Sequence, residues 1–243
     1  MQNSKHYLIV DGPLAFKHKI RVKTRPASWM NDNQPIIVPL SIHATMFREE
    51  YANQKLFSIL SLLDGLAQRK VTVLICEGAH LHCLNMNAGN IIETTRKATQ
   101  HANAFLNRFK HELEGFETIS WLKLVNQYSK YNEFREFITN LYKNDPSFRT
   151  LVQQDAAHSY LQHADAQHNK QLFLECCELD LLEQCAYLLV VAHLGYRYEL
   201  YPGKRIACAN YINTTILEKK NAITRINVTI GTPKIYSSNK KTL

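Results

Sequence analysis

The sequence lacks the glycine-rich motifs that mark the commonest nucleotide and hydrolase sites. Only 8 of its 243 residues are glycine, and none of the patterns G-x-S-x-G, G-x-x-x-x-G-K-[ST] or G-x-G-x-x-G occurs. The absence of the first pattern argues against an α/β-hydrolase. The absence of the other two means that the sequence has no recognisable loop for binding nucleotide phosphates. We therefore expect neither ATP nor a dinucleotide cofactor.

Long apolar runs are also absent. The longest, AYLLVVAHLG (186–195), contains a histidine and is too short to cross a bilayer. The N-terminal stretch MQNSKHYLIVDGPLAF has no signal-peptide core followed by a small-residue cleavage site. We expect a cytoplasmic protein that makes no use of a membrane.

Paired cysteines are missing as well. There are 6 cysteines but no C-x-x-C pair, so a zinc ribbon or thioredoxin-type site is not indicated. The cluster HLHC (80–83) has a spacing that fits no common zinc pattern. We predict no metal and interpret the cysteines as mostly buried, reduced thiols.

The composition is that of a basic globular domain. The length and the 45% of hydrophobic residues suit a single domain over 1–243, or two small ones at most. The formal net charge is +8 and the pI is about 9.1. A surplus of this size indicates either a polyanionic partner such as nucleic acid or a solubility feature, and charge alone leaves both open.

The first half of the chain predicts a βαβ unit. PIIVPLS (35–41) and VTVLICEG (71–78) are typical of buried strands, and 47–68 has the apolar spacing of an amphipathic helix. Two such strands are expected to be parallel neighbours, with ligands binding beyond their carboxyl ends. Ser41 and Glu77 occupy these ends.

Other segments complete a predicted α/β fold in which a parallel sheet is flanked by helices. HYLIV (6–10) predicts another short buried strand, followed by a basic, irregular surface connection up to PIIVPLS. The segments predicted to be helical are 90–114, 131–143, 146–161 and 168–195, and NDPS separates the second from the third. Further strands are predicted at 197–203, ending at the carboxyl edge, and at 222–231, at an edge of the sheet.

Two of the predicted helices carry candidate functional residues. The first is basic and contains Arg96, Lys97, Arg108 and Lys110, with Lys97, His101 and Arg108 on one face. Such a stripe could follow a phosphate backbone, or it could be an ordinary solvated face.

The helix over 168–195 is apolar on every side from Leu179 onward, yet contains Glu183 and Gln184. A buried carboxylate is costly unless it is paired or used. Glu183 could therefore reach an arginine or the surface, or bind an ammonium group and move protons.

Four segments in this order resemble the tRNA-dependent cyclodipeptide synthases, over roughly residues 35–205. They are VPLSIHATMF with Ser41 at the nucleophile position, VTVLICEGAHLHCLNM, YNEFREFITNLYKNDPSF with Tyr131 at its start, and LDLLEQCAYLLVVAHLGYRYELYPG. The pair Tyr201-Pro202, with Ala44 three residues after the serine, resembles the subfamily called XYP.

The resemblance implies a Rossmann-like fold similar to the catalytic domains of class I aminoacyl-tRNA synthetases, and an aminoacyltransferase that needs no ATP. Two aminoacyl-tRNAs would be joined into a cyclic dipeptide, a diketopiperazine, by a ping-pong reaction through an aminoacyl ester on Ser41. Tyr131, Tyr201 and Gln184 would bind the aminoacyl group, and Glu183 would handle its amine. The basic residues of 90–114 would bind tRNA, and we expect a monomer.

One position departs from the family pattern, Tyr-x-x-x-Glu on the long helix. If Glu183 is that glutamate, Leu179 replaces the tyrosine; if the alignment shifts by one residue, Gln184 and Asp180 occupy the two positions. We favour Glu183, because a carboxylate in this apolar run otherwise needs another reason. The competing hypotheses are a non-catalytic tRNA-binding protein of the same fold and a serine acyltransferase that uses another donor.

Overall fold

The computed structural model describes most of the chain. The described residues are 7–11, 16–22, 33–41, 70–86, 89–111, 113–163, 169–202, 205–230 and 234–235. The predicted helix at 47–68 lies outside them, as does Ala44. Within the described part, none of the helices has the length and apolar character needed to cross a membrane.

A mixed sheet organises the fold. Its strands are β1 (Tyr7–Asp11), β2 (Phe16–Val22), β3 (Ile36–Leu40), β4 (Val71–Ile75), β5 (Glu117–Ser120), β6 (Tyr198–Pro202), β7 (Thr224–Ile230) and β8 (Lys234–Ile235). They are ordered β1-β2-β7-β6-β3-β4-β5, with β8 also paired to β2. The five strands from β7 to β5 are mutually parallel, whereas β2 runs antiparallel to β1, β7 and β8.

The order of the parallel strands is that of a doubly wound sheet. From β3 the chain moves outward through β4 to β5, then returns to the other side of β3 for β6 and β7. The strand order reverses between β3 and β6, and in such sheets this switch point is where ligands bind. The predicted Rossmann-like fold is therefore confirmed.

Helices cover the sheet. They are α1 (Leu81–Asn85), α2 (Ile91–Arg108), α3 (Trp121–Gln127), α4 (Tyr131–Asn144), α5 (Pro146–His163), α6 (Lys170–His193) and α7 (Ala207–Tyr211), the last continued by a π-helical turn at Ile212–Ile216. On one face, Ile37, Leu74 and Cys76 pack in a core dominated by α6, whose buried residues include nearly all of 180–192. On the other face, Val38, Leu40 and Val73 pack with Ala102 of α2 and with Phe109.

Most predicted elements are confirmed. Strands β3 and β4 are parallel neighbours with every residue buried, because helices cover both faces of the sheet. The break between α4 and α5 is capped by Asp145, which accepts the amide N–H groups of Ser147 and Phe148 at 2.8 and 3.1 Å. The predicted long helix is α6.

Three predictions about the elements are wrong. The basic connection after β1 contains a strand, β2, whose FKHKIRV alternates apolar or aromatic residues with cations. The strand predicted at an edge, β7, lies inside the sheet because β2 pairs with its far side. The basic helix ends at Arg108 rather than 114, and turns follow it.

Candidate active site

Three side chains lie at the carboxyl ends of the neighbouring strands β4, β3 and β6. The N–H of Cys76 donates to the carbonyl of Leu40 at 2.8 Å, which extends the ladder one step beyond the strands and places Cys76 beside Ser41. On the other side, Ile37 of β3 pairs with Glu199 of β6, and continuing that register places Tyr201 opposite Pro39, two residues before Ser41. Cys76, Ser41 and Tyr201 are called the strand-end group below.

The strand-end group points toward α6. Side chains alternate along a strand, and Ile37 belongs to the core on the α6 face, so Ser41, four residues later, lies on that same face. Ser41 is buried, with 8% of its surface exposed. Burial, aided by the charges of Glu77 and Glu199, raises the pKa of the Cys76 thiol well above its usual range. The neighbouring thiol is thus kept neutral, which leaves Ser41 as the candidate nucleophile in this group.

Tyr201 is supported by a buried cluster of charges. The guanidinium of Arg225 lies over its ring, 4.8 Å from the centroid. The Oε2 atom of Glu199 accepts from Nε of Arg225 at 2.8 Å and from an NH₂ group of Arg205 at 3.1 Å. Burial opposes the charge on Glu199, but the two guanidinium groups outweigh it and hold the pKa of that carboxyl below its usual value. Burial also raises the pKa of Tyr201, so its phenol stays protonated and able to donate.

Glu183 faces the N-terminal parts of α1 and α4. Its Oε1 atom lies 3.2 Å from Nε2 of His82 on α1 and 3.6 Å from the guanidinium of Arg135 on α4. The exposed fractions of the side chains are 16% for Glu183, 24% for His82 and 51% for Arg135. This carboxylate is thus partly exposed and lies between a histidine and an arginine. Because α1 follows the carboxyl end of β4, Glu183 lies at the same edge of the sheet as Ser41.

Tyr131 completes this second set of side chains. It is the first residue of α4, is 7% exposed and lies one turn before Arg135. Burial, together with the charge of Glu183, raises the pKa of the Tyr131 phenol. The hydroxyl stays protonated and can donate a hydrogen bond. His82, Tyr131, Arg135 and Glu183 are called the Glu183 cluster below.

The neighbours of Glu183 on α6 hold the backbone of the site. Asp180 is 1% exposed and accepts the amide N–H groups of His82 and Cys83 at 2.9 and 3.0 Å, which caps the first turn of α1. The side-chain amide of Gln184 donates to the carbonyl of Ala79 at 3.1 Å. Burial nevertheless raises the pKa of Asp180 to about 6. These two residues fix the loop and helix that present His82.

Leu179 is more exposed than the sequence predicted. We expected α6 to be buried from Leu179 onward, but this side chain is 45% exposed, and the largely buried part of the helix begins at Asp180. Leu179 precedes Glu183 by four residues and therefore lies on the same side of the helix. That side is more open than an all-apolar helix would suggest.

Glu77, at the carboxyl end of the second predicted strand, has a structural role. It is 1% exposed, and its two oxygens accept the amide N–H groups of Trp121 and Leu122, both at 3.1 Å. The carboxylate thus caps α3, where the helix dipole favours a negative charge. In the described part of the chain, no group of three or more His, Cys, Asp or Glu side chains is arranged to hold a metal ion.

The basic residues of α2 form an outward face. The helix buries Thr94, Ala98 and Ala102. The residues we predicted to bind tRNA are exposed: Arg96, Lys97 and Arg108 on the helix, and Lys110 in the turn after it. Two of them are paired with Glu93, Arg96 through contacts of 2.6 and 2.7 Å and Lys97 at 3.6 Å. Glu93 therefore offsets part of the positive charge at the start of α2.

The structure brings the predicted site residues together in two sets at one edge of the sheet. Ser41 and Tyr201 lie in the strand-end group, while Glu183 and Tyr131 lie in the Glu183 cluster. Our sequence reasoning missed His82 and Arg135. His82 belongs to the HLHC segment considered only as a metal site, and Arg135 is separated from Glu183 by a long stretch of chain, so no local spacing points to either pairing.

Several solved structures share this fold. A cyclodipeptide synthase from Fluoribacter dumoffii superposes with a TM-score of 0.76 at 16% identity, covering 88% of this chain and 99% of that one. One from Candidatus Glomeribacter gigasporarum, solved bound to Phe-tRNAPhe, has a TM-score of 0.66 at 18% identity, with 89% and 96% covered.

A third structure connects the fold to aminoacyl-tRNA synthetases. It is a Mycobacterium tuberculosis protein whose structure relates cyclodipeptide synthetases to type I tRNA synthetases, and it has a TM-score of 0.62 at 13% identity, with 95% and 100% covered. No protein-family model matches the sequence, and a search of curated proteins found no match. The likeness is therefore one of structure, and this chain has the fold of the cyclodipeptide synthases.

Proposed function

We propose that this protein is a tRNA-dependent cyclodipeptide synthase, an aminoacyltransferase that joins two aminoacyl groups through an ester on Ser41. The observation that carries the proposal is the position of Ser41 at the switch point of a doubly wound sheet, at the end of the strand next to that of Tyr201 and at the same edge as Glu183. The shared fold supports it. The pattern of Ala44 with Tyr201-Pro202 further suggests the XYP subfamily.

In the first step, Ser41 takes the aminoacyl group from one aminoacyl-tRNA. Its Oγ atom forms a bond to the ester carbonyl carbon, the bond to the ribose oxygen breaks, and the serine proton leaves with that oxygen. The ester to tRNA already stores the energy of the transfer, so no ATP is consumed. The protonated Tyr201, at the end of the neighbouring strand β6, would donate a hydrogen bond to the bound group.

In the second step, the amine of the Ser41-bound amino acid must lose a proton before it attacks the second ester. Glu183 is suited to bind the ammonium group, because its carboxylate is partly exposed and lies between α1 and α4. Tyr131 donates to the same substrate from the start of α4. The resulting dipeptide then cyclises when its free amine attacks the ester on Ser41, which releases the serine.

The contacts on α6 favour Glu183 over Gln184 as the residue that handles the amine. Gln184 is used to hold the carbonyl of Ala79, and Asp180 is used to cap α1. Glu183 alone of the three has its side chain between α1 and α4. We therefore assign the proton-accepting role to Glu183 and a supporting role to Gln184.

The test is synthesis by the purified protein from aminoacyl-tRNAs, with cyclic dipeptides identified by mass spectrometry. We expect products from the native protein, none from Ser41→Ala, and none after ribonuclease treatment. Ser120→Ala is the matched control, since Ser120 also ends a parallel strand but caps α3 by accepting from Lys123 at 3.0 Å. Equal product from the Ser41 variant and the native protein would refute the mechanism.

A second candidate function is tRNA binding without chemistry, which the exposed basic face of α2 favours. It predicts tight tRNA binding and no cyclic dipeptide from any pair of aminoacyl-tRNAs. A covalent aminoacyl adduct on Ser41, detected by intact-protein mass spectrometry, would decide against it.

A further inference from the structure

His82 is the only group of the Glu183 cluster that is both able to accept a proton near neutral pH and in direct contact with the carboxylate. Its Nε2 atom meets the same oxygen, Oε1, that lies nearest to Arg135. The imidazole is 24% exposed, so it links the more buried carboxylate to solvent. The catalytic steps above do not use it.

The backbone around His82 is fixed independently of its side chain. The amide N–H groups of His82 and Cys83 are held by Asp180, and the carbonyl of Ala79 by Gln184. These three hydrogen bonds join α6 to α1 and to the loop before it, and none involves the imidazole. The fold thus holds the ring at hydrogen-bond distance from Glu183, and a substitution of the ring leaves these anchors in place.

If Glu183 accepts a proton from the substrate, a neighbouring group must take that proton from it. A proton that Glu183 takes from the substrate ammonium must pass on before the carboxylate can accept another. Arg135 cannot accept it, because a guanidinium stays protonated. The phenol of Tyr131 is protonated already. Among the described residues in contact with Glu183, His82 remains.

We propose that His82 is a positioning residue that receives, through Glu183, the proton released by the substrate amine and passes it to solvent. This inference rests on the proposed function. The N–H bond of the ammonium breaks and a proton binds Glu183, then moves from Glu183 to Nε2 of neutral His82, and then leaves the imidazolium for water. Glu183 returns to its ionised state, and the freed amine attacks the second ester.

The ionisation of His82 sets a pH requirement. The described charged groups that influence the pKa of its ring are Glu183 and Asp180 from α6 and Arg135 from α4. The hydrogen bond to Glu183 raises the pKa of the imidazole, and burial lowers it by less. Only the neutral ring can accept a proton, so the rate of the second step increases as the pH rises through the pKa of His82. We expect this increase, the pH-dependent limb of the rate profile, above the ordinary histidine pKa of about 6.5.

The experiment separates the two steps on the purified, full-length protein. One measurement follows the aminoacyl adduct on Ser41 by intact mass, and the other follows dipeptide formation when the second aminoacyl-tRNA is added. We expect His82→Ala to form the adduct normally but to slow dipeptide formation by about 10- to 100-fold, at the lower end of what proton-transfer groups contribute. The pH-dependent limb should shift or disappear.

Added imidazole should restore the rate of His82→Ala, but not that of Glu183→Gln, where the first proton acceptor is missing. His158→Gln, a change at an exposed histidine of α5, is the matched control and should behave as the native protein. A merely structural role for His82 would give neither the rescue nor the altered pH profile.

Two results would count against the inference in different ways. If His82→Ala forms dipeptide at the native rate over the whole pH range, or if imidazole leaves a slowed variant unchanged, the role of His82 is wrong while the synthase function stands. If the native protein forms neither adduct nor cyclic dipeptide, the proposed function is wrong and this inference with it.

Discussion

Removing the charge of Glu199 should destabilise the protein strongly, because the change removes the carboxylate that contacts two largely buried cations. The carboxylate is 4% exposed and contacts Arg225 at 2.8 Å and Arg205 at 3.1 Å. The arginine side chains are themselves only 15% and 8% exposed. Glu199→Gln keeps the shape and one acceptor oxygen, so the loss is mainly one of charge.

The size of the effect follows from two opposing terms. At an effective dielectric of about 20, each close pair gains roughly 4 kcal/mol. Desolvation of the carboxylate cancels several kcal/mol of this, which leaves the about 3–5 kcal/mol observed when one partner of a buried ion pair is removed. For a chain of this length, such a loss lowers the melting temperature by roughly 6–20 °C.

Urea unfolding followed by tryptophan fluorescence measures this difference directly. Glu218→Gln is the matched control, since Glu218 pairs with Lys220 at 2.8 Å while both side chains are more than two-thirds exposed. We expect the control to lose at most about 1 kcal/mol. A loss for Glu199→Gln no larger than that of the control would refute the reasoning. Because Arg225 lies over Tyr201, the variant should also make less product than its remaining folded fraction predicts.

Three further predictions concern α6 and α2. Glu183→Gln should reduce dipeptide synthesis by about 10²–10⁴-fold with little change in stability. Gln184→Ala should lower the stability by about 1 kcal/mol, because one hydrogen bond is lost, and should change the activity little. If Gln184→Ala reduces synthesis more than Glu183→Gln, then Gln184 and not Glu183 occupies the family's glutamate position. Neutralising Lys97 and Arg108 should weaken tRNA binding and reduce the slope of log K against log salt by about 1.4–1.8, and an unchanged slope would exclude this face. The pKa of Asp180 is raised to about 6, so its folded state favours the protonated form and native stability falls as the pH rises from about 4 to 7. Asp180→Asn should remove about 3 kcal/mol of that fall, from a pKa difference of roughly two units, which urea unfolding at both pH values would show.

The parallel centre of the fold could be predicted because its signal is local. The strands containing Ile36–Leu40 and Val71–Ile75 are continuous apolar runs, as expected of strands buried on both faces. The carboxyl-end position of Ser41 followed directly. In β2, Lys17, Lys19 and Arg21 alternate with the apolar residues, and this density of charge concealed the period of two.

The remainder of the site depends on contacts between distant residues. Glu183 and His82 are 101 residues apart, and the two amide groups capped by Asp180 are about as far from it in sequence. No spacing within a single helix indicates which carboxylate of α6 reaches which partner. The sequence could therefore predict that α6 carries a functional acid, while the separate roles of Asp180, Glu183 and Gln184 required the packing of α1 against α6.

The pairing of β2 with β7 has a consequence for the order in which the protein can assemble. Ile20 forms a ladder pair with Ile230, 210 residues later in the chain. During synthesis, β1 and β2 can form their hairpin early, but β2 must wait for β7 before its other edge is covered. Until then that edge can pair with another chain, and contacts so distant in sequence form slowly. When a host cell synthesises the protein rapidly, newly made chains are therefore most prone to aggregate through β2. Slower expression should favour the folded protein.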